Sequence, residues 1–156
     1  MRDLTLIPLQ HDKIRPAFPL IRTVRPSLTF EDWVAYAERY MDDGSQRSGI
    51  VTLQDSGGLI LGIFVYRVAD NPGHGPTLMV EDFVALDIVT PHQVAERLAT
   101  EMERLARQLG CAAVHTALAC GDGMNAQFLL DKLHELGHCL ESFRLCKPLP
   151  ATGGVT

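Results

Sequence analysis

The sequence has no CxxC pair, no apolar run long enough to span a membrane, no basic stripe and no internal repeat. Each absence closes off a class of function. The four cysteines, Cys111, Cys120, Cys139 and Cys146, fall only in the second half of the chain. In a cytoplasmic chain they read as buried or incidental thiols and not as a disulfide frame. A membrane helix needs about 18 consecutive apolar residues, and none is found, so no membrane partner is expected. The opening MRDLTLIPLQ lacks the apolar core of a secretory signal, which makes the cytoplasm the expected location. Lys+Arg 14 against Asp+Glu 19 leaves a formal net charge of −5. With the cations scattered among acids, no nucleic-acid partner is expected. What is present is a 156-residue chain with 46% hydrophobic and 21% charged residues, the balance of a globular domain with its own core. Its acids gather late: after residue 68 there are 11 Asp+Glu and 6 Lys+Arg, against 8 and 8 before it.

Periodicity orders the elements. Leu4 to Pro8 reads as a first strand. Ile14, Phe18, Ile21 and Val24 recur at helical spacing, and Pro16 and Pro19 predict that this helix starts late or breaks. Thr29 is the expected N-cap of a second helix, with Phe30, Trp33, Val34, Ala37 and Met41 on its apolar face and Gly44 closing it. Ile50–Gln54 and Leu59–Val68 flank Asp55-Ser56-Gly57-Gly58, a hairpin signal. Residues 70–76 read as a loop and Leu78–Leu86 as a strand. Thr90 opens the longest helix, with Val94, Leu98, Met102, Leu105 and Leu109 inward and Gly110 just past its end. Ala112–Leu118 is the next strand, Asn125 to about Leu136 a helix, and Cys139–Cys146 a last strand. The order β-α-α-β-β-β-α-β-α-β predicts an α/β (α+β) fold, a mixed sheet with helices on both faces.

One short motif points to metal chemistry. His134-Glu135-Leu136-Gly137-His138 satisfies H-E-x-x-H, in which two His at i and i+4 bind zinc and the Glu activates water. A third ligand is needed from another element, and only 18 residues follow His138. Glu141 would lie on the same helical stripe, and three ligands in one line do not wrap a tetrahedral ion. Gly137 as the residue ending the helix competes with this reading.

The element order and the text Val80-Glu81-Asp82-Phe83-Val84, then a helix, then Leu109-Gly110-Cys111, resemble the GNAT acyltransferase superfamily. So do Gly137 and Leu140-Glu141-Ser142-Phe143-Arg144-Leu145. The resemblance implies a GNAT-like, mostly antiparallel sheet; the length suits one domain, over residues 1–150, and the small, polar residues 151–156 read as a flexible tail. It also implies acetyl-CoA as co-substrate, with Phe83, Val84 and Ala85 presenting backbone to the thioester and pantetheine. The pyrophosphate loop, of pattern R/Q-x-x-G-x-G/A, falls on Thr90-Pro91-His92-Gln93-Val94-Ala95, where only Ala95 fits. Thr90-x-x-Gln93 is instead a capping box with Pro91 at N1, which predicts a helix that satisfies its own donors. His92 and Asn125 are further cofactor-side candidates, and Phe128–Leu133 lacks the tyrosine that often protonates the leaving thiolate.

Glu81 stands where a general base is found in similar polyamine acetyltransferases, with Asp82 beside it. Strict alternation along a strand predicts that the two acids face opposite ways. Residues 11–43, with Arg22, Arg25, Trp33, Tyr36 and Tyr40, correspond to a wall of the acceptor pocket. Three functions follow as expectations. The first is acetyl transfer to an amine of a small molecule or peptide. The second is a catalytically silent binding, regulatory or homodimerising module. The third is a zinc hydrolase on His134, Glu135 and His138.

Overall fold

The computed structural model describes residues 3–41, 44–86, 90–119 and 126–151, together with the backbone but not the side chains of 124 and 125. Strands β1 (Leu4–Pro8), β2 (Ser48–Asp55), β3 (Ile60–Asn71), β4 (Gly75–Ala85) and β5 (Ala113–Thr116) form one sheet in the order β1-β2-β3-β4-β5. The first four are antiparallel and β5 runs parallel to β4, so the sheet is mixed. A 3-10 turn at His11–Lys13 leads into α1 (Ile14–Arg22), followed by α2 (Phe30–Met41). Helices α3 (Pro91–Gln108) and α4 (Met124–Glu135) bracket β5. No helix of the described residues is long and apolar enough to cross a membrane.

Each face of the sheet has its own core. On one, Leu53, Phe64, Leu78, Val80 and Phe83 pack against Val94, Leu98 and Met102 of α3 and Leu129 and Leu133 of α4. On the other, Ile50, Ile63, Val65 and Val84 pack against Ile14, Ala17 and Ile21 of α1 and Trp33 and Ala37 of α2. Trp33 is fully buried, and its indole N–H donates to the Ile14 carbonyl at 2.7 Å, locking α2 onto α1. The α3 face is tight at Gly62, where an added Cβ would stand 2.5 Å from Leu98 Cδ1. The α+β architecture with helices on both faces is therefore the one expected.

Helix ends follow local chemistry. The Asp32 N–H donates to Thr29 Oγ1 at 3.1 Å, so the predicted cap of α2 forms. Both α3 and α4 end in a glycine at positive φ, Gly110 (76°) and Gly137 (98°). At Gly110 the Cys111 N–H reaches the Ala106 carbonyl, and at Gly137 the His138 N–H reaches that of Leu133, the Schellman arrangement that closes a helix.

Five expectations need correction. Helix α1 starts at Ile14 and runs through Pro19. Pro16 falls in the first turn, where no N–H is needed, and burial of Ile14, Ala17, Leu20 and Ile21 outweighs the bond Pro19 lacks. The 70–76 loop shrinks to three residues because β3 extends to Asn71 and β4 begins at Gly75, with the Asn71 side chain accepting from the N–H groups of Gly73 and His74. The Thr90 side chain makes no cap hydrogen bond, so the capping box is not built. Thr90 sits at φ −134° and ψ 59°, outside the extended backbone that a capping residue uses. Residues 139–146 form no strand: Leu140 is 62% exposed, Phe143 84% and Leu145 93%, so the apolar positions that suggested a strand face water. Side chains hold this C-terminal strap instead of a ladder. Finally, Glu81 and Asp82 do not alternate as a regular strand would, for the reason given next.

Candidate functional site

The site forms where β4 departs from regular geometry. Gly62 pairs with Ala85 and Ile63 with Val84, but Val65 pairs with Glu81, so one extra residue is inserted in β4 opposite Phe64. This is a β-bulge, and Asp82 carries it at φ 53°. Asp is among the few non-glycine residues that tolerate the left-handed region. The bulge brings both carboxylates to one cluster of cations, where alternation would have separated them.

Asp82 is buried, only 9% exposed. It accepts from Arg25 Nε at 2.5 Å and from the Tyr36 hydroxyl at 3.0 Å. The hydrogen bond to Asp82 pushes the Arg25 guanidinium above its ordinary range, and Glu81 adds to this. Burial, then the Asp82 charge, hold the Tyr36 phenol well above its usual range, so it remains a donor. Tyr36 meets Tyr40 with ring centroids 4.9 Å apart and planes tilted by 49°. Of the residues expected to line an acceptor wall, Arg25, Tyr36 and Tyr40 thus gather at the bulge. Trp33 belongs to the core, and Arg22 turns to the Pro26 carbonyl.

Glu81 receives a two-pronged pair from the strap: Arg144 Nη1 to Oε2 at 3.0 Å and Nη2 to Oε1 at 2.9 Å. The hydrogen bond to Glu81 pushes the Arg144 guanidinium upward, while the nearby Arg25 opposes it. Sequence reasoning missed Arg144, because no local signal ties it to a carboxylate 63 positions away.

The adjacent edge of β4 opens at the same place. β5 pairs with β4 over Thr77–Val80 alone, and the Ala117 N–H adds one bond to the Val80 carbonyl at 2.9 Å. Beyond Val80, no strand of the described residues pairs with that edge. An extended amide chain could add to it by main-chain hydrogen bonds. Phe83, Val84 and Ala85 are buried, so only their backbone is available there. Val94 and Ala95 are likewise core, and Gln93 is half-buried on the first turn of α3. His92 is exposed and rests edge-on against Phe128 of α4, centroids 4.8 Å apart. Thr90 leads into α3 with no side-chain cap hydrogen bond, and Pro91 at N1 brings no N–H of its own. The side chain of Asn125, and the residues 87–89 and Cys120, lie outside the described residues.

His134 and His138 are not a helical i,i+4 pair, because Gly137 ends α4 between them. His134 is exposed, and burial lowers the His138 pKa. A cavity of about 570 Å³ bounded by Leu6, Ser48, Tyr66, Glu101 and Arg104 lies between β1, β2 and α3, away from Glu81 and Asp82.

No protein-family profile matches the chain, and no curated protein matches it in sequence. Solved structures do match in fold. An aminoglycoside N-acetyltransferase in complex with CoA superposes with a TM-score of 0.73 at 14% identity, covering 96% of both chains. Glucosamine-6-phosphate N-acetyltransferase from Arabidopsis thaliana gives 0.71 at 18% identity, covering 95% of this chain and 99% of the other. A protein described as a transcriptional regulator from Bacillus halodurans gives 0.78 at 11% identity, covering 94% and 100%. The fold is therefore that of the GNAT acetyltransferases. At these identities the likeness speaks for the fold alone.

Proposed function

We propose that the protein transfers an acetyl group from acetyl-CoA to an amine of a small molecule or peptide, with Glu81 as general base. The observation that carries this reading is a carboxylate engaged by a cation directly beside the point where the β4 edge opens. A carboxylate that holds the Arg144 guanidinium in two-pronged fashion suits a protonated amine in the same place. Acetyl-CoA supplies the acetyl group as a thioester; the β4 backbone over Phe83–Ala85 and the first turn of α3 would hold it.

Glu81 takes one proton from the ammonium, through a water where the distance requires one, which frees the nitrogen lone pair to form the new C–N bond; the nitrogen's second proton then passes to solvent. The C–S bond breaks, and solvent protonates the departing thiolate, since α4 contains no tyrosine. Both acids have paired oxygens, but the Arg144 side chain on Glu81 is 63% exposed and can yield to an amine, whereas the Asp82 side chain is 5% exposed and held by Arg25 and Tyr36, so Asp82 does not serve as base. Its role is to fix the bulge and hold Arg25 and Tyr36 as one wall of the acceptor space.

Free-thiol release from acetyl-CoA, measured across a panel of di- and polyamines, aminosugars and basic peptides, tests this. Glu81→Gln should lower kcat by about 100-fold or more, the usual size of a general-base effect, and leave acetyl-CoA affinity intact. Unchanged kcat in Glu81→Gln would remove Glu81 from the chemistry.

A second reading draws on the same Arg144 contact. A guanidinium seated on Glu81 is what a silent regulatory module would show, and one fold relative is described as a regulator. Acetyl-CoA binding without turnover, persisting in Arg144→Ala, distinguishes it.

A further inference from the structure

We propose that His74, His115 and Glu141 form a binding site for one zinc-type divalent cation, which clasps the C-terminal strap to the sheet. The three ligands come from three elements: the turn between β3 and β4, strand β5, and the strap. This is what the H-E-x-x-H motif cannot supply, since donors from separate elements can surround an ion where donors on one helical stripe cannot.

The donor atoms converge, all lying within 4.8 Å of one another. Glu141 turns one oxygen to each ring, Oε1 to His74 Nε2 at 2.5 Å and Oε2 to His115 Nε2 at 2.9 Å. The rings stand at 88° with centroids 5.3 Å apart, so their edges meet at the carboxylate from two directions. His115 Nε2 carries the stronger argument. It is shielded from solvent and makes no directed hydrogen bond, even with a carboxylate oxygen 2.9 Å away. An imidazole nitrogen directs its lone pair in the ring plane, and this oxygen is poorly aligned with it. An ion seated among the three atoms lies where the lone pair can reach it.

Size and chemistry agree. Zinc bonds of about 2.1 Å in a tetrahedron set donor atoms about 3.4 Å apart. The short N–O distances must open by less than about 1 Å and the widest donor separation, up to 4.8 Å, must close by about 1.4 Å, movements that Glu141 on its exposed strap and His74 on its exposed turn can share. Two imidazoles and one carboxylate, with no thiolate, suit a zinc-type ion with its fourth position open to water. The partial exposure of His74 and Glu141 provides that opening. Arg144 follows on the same strap and pairs with Glu81, so the ion would fix how the strap lies over that carboxylate.

The competing arrangement is a proton-held cluster with no metal, and titration separates the two. Untagged full-length chain, stripped with a chelator, is titrated with zinc chloride by calorimetry and by thermal melting. One ion per chain is expected, with a zinc-dependent rise in melting temperature. His74→Ala and Glu141→Gln, both at exposed positions that leave the fold intact, should each weaken zinc binding at least tenfold, while His134→Ala leaves it unchanged. Substituted cobalt should give the visible spectrum of a tetrahedral site in the wild type and lose it in Glu141→Gln. No zinc heat and no melting shift in the wild type, or equal affinity in His74→Ala and wild type, would overturn the proposal.

Discussion

Asp82 is the residue on which the site geometry most depends, and replacing it gives a graded result. Asp82→Ala removes two hydrogen bonds at a buried position and leaves the Tyr36 hydroxyl and the Arg25 guanidinium without their acceptor. An orphaned, largely buried donor costs about 1–3 kcal/mol. The Arg25 side chain is 48% exposed and can turn to water, so its share belongs at the low end. Alanine must also hold φ near 53°, which costs about 1–2 kcal/mol more. The total is about 3–6 kcal/mol, a large part of the stability of a domain this size. Asp82→Gly loses the same bonds without the φ penalty and should recover about 1 kcal/mol relative to alanine. Asp82→Asn tolerates the left-handed backbone and keeps one accepting oxygen, so it should be the mildest of the three. Urea unfolding followed by Trp33 fluorescence reads all of them, and equal m-values would confirm a common unfolding transition. Alanine and glycine variants of equal stability would refute the strained bulge. An alanine variant within about 0.5 kcal/mol of wild type would refute the buried network as well.

Three further outcomes follow from the structure. Arg144→Ala should lower KM for cationic acceptors by removing the guanidinium that competes for Glu81, with a stability change below about 1 kcal/mol because the strap side of the pair is exposed; steady-state kinetics and melting check both. Gly62→Ala should cost about 1–3 kcal/mol, since the new methyl meets Leu98, Val94 and the Val84 carbonyl at 2.5, 3.3 and 3.2 Å, and denaturant unfolding measures it. His138 has its pKa lowered from 6.5 by burial, so as pH falls below about 6.5 the unfolded chain takes up a proton that the folded chain resists. Stability from this group is full above that pH and declines as pH falls through the lower folded value, so His138→Gln should flatten the fall in melting temperature between about pH 7 and 5.5.

Local chemistry made much of the fold readable. The Thr29 cap, the glycines at 110 and 137, and the periodic faces of α2 and α3 depend on neighbours within one or two turns, and their forms are those expected. The departures arise where distant parts of the chain decide. The bulge at Asp82 needs the register of β3 against β4, which alternation in Val80–Val84 does not encode. The strap carries a strand-like pattern, but β5 is only four residues long and the strap's anchors are ionic, through Glu141 and Arg144. Thr90 and Gln93 have the right spacing for a capping box, yet the backbone enters α3 at a ψ that does not aim the hydroxyl at the first turn. The candidate site was legible as Glu81 and Asp82 and as a group of aromatics and arginines in residues 11–43. Which of these meet was not, because Arg25, Tyr36, Asp82 and Arg144 come together only through the fold.

Calorimetric titration of acetyl-CoA into the purified chain tests the central claim most directly. The open β4 edge predicts saturable binding of one acetyl-CoA per chain, accompanied by a rise in melting temperature. A chain that neither takes up acetyl-CoA nor shifts its melting at millimolar ligand contradicts acetyl transfer at this site.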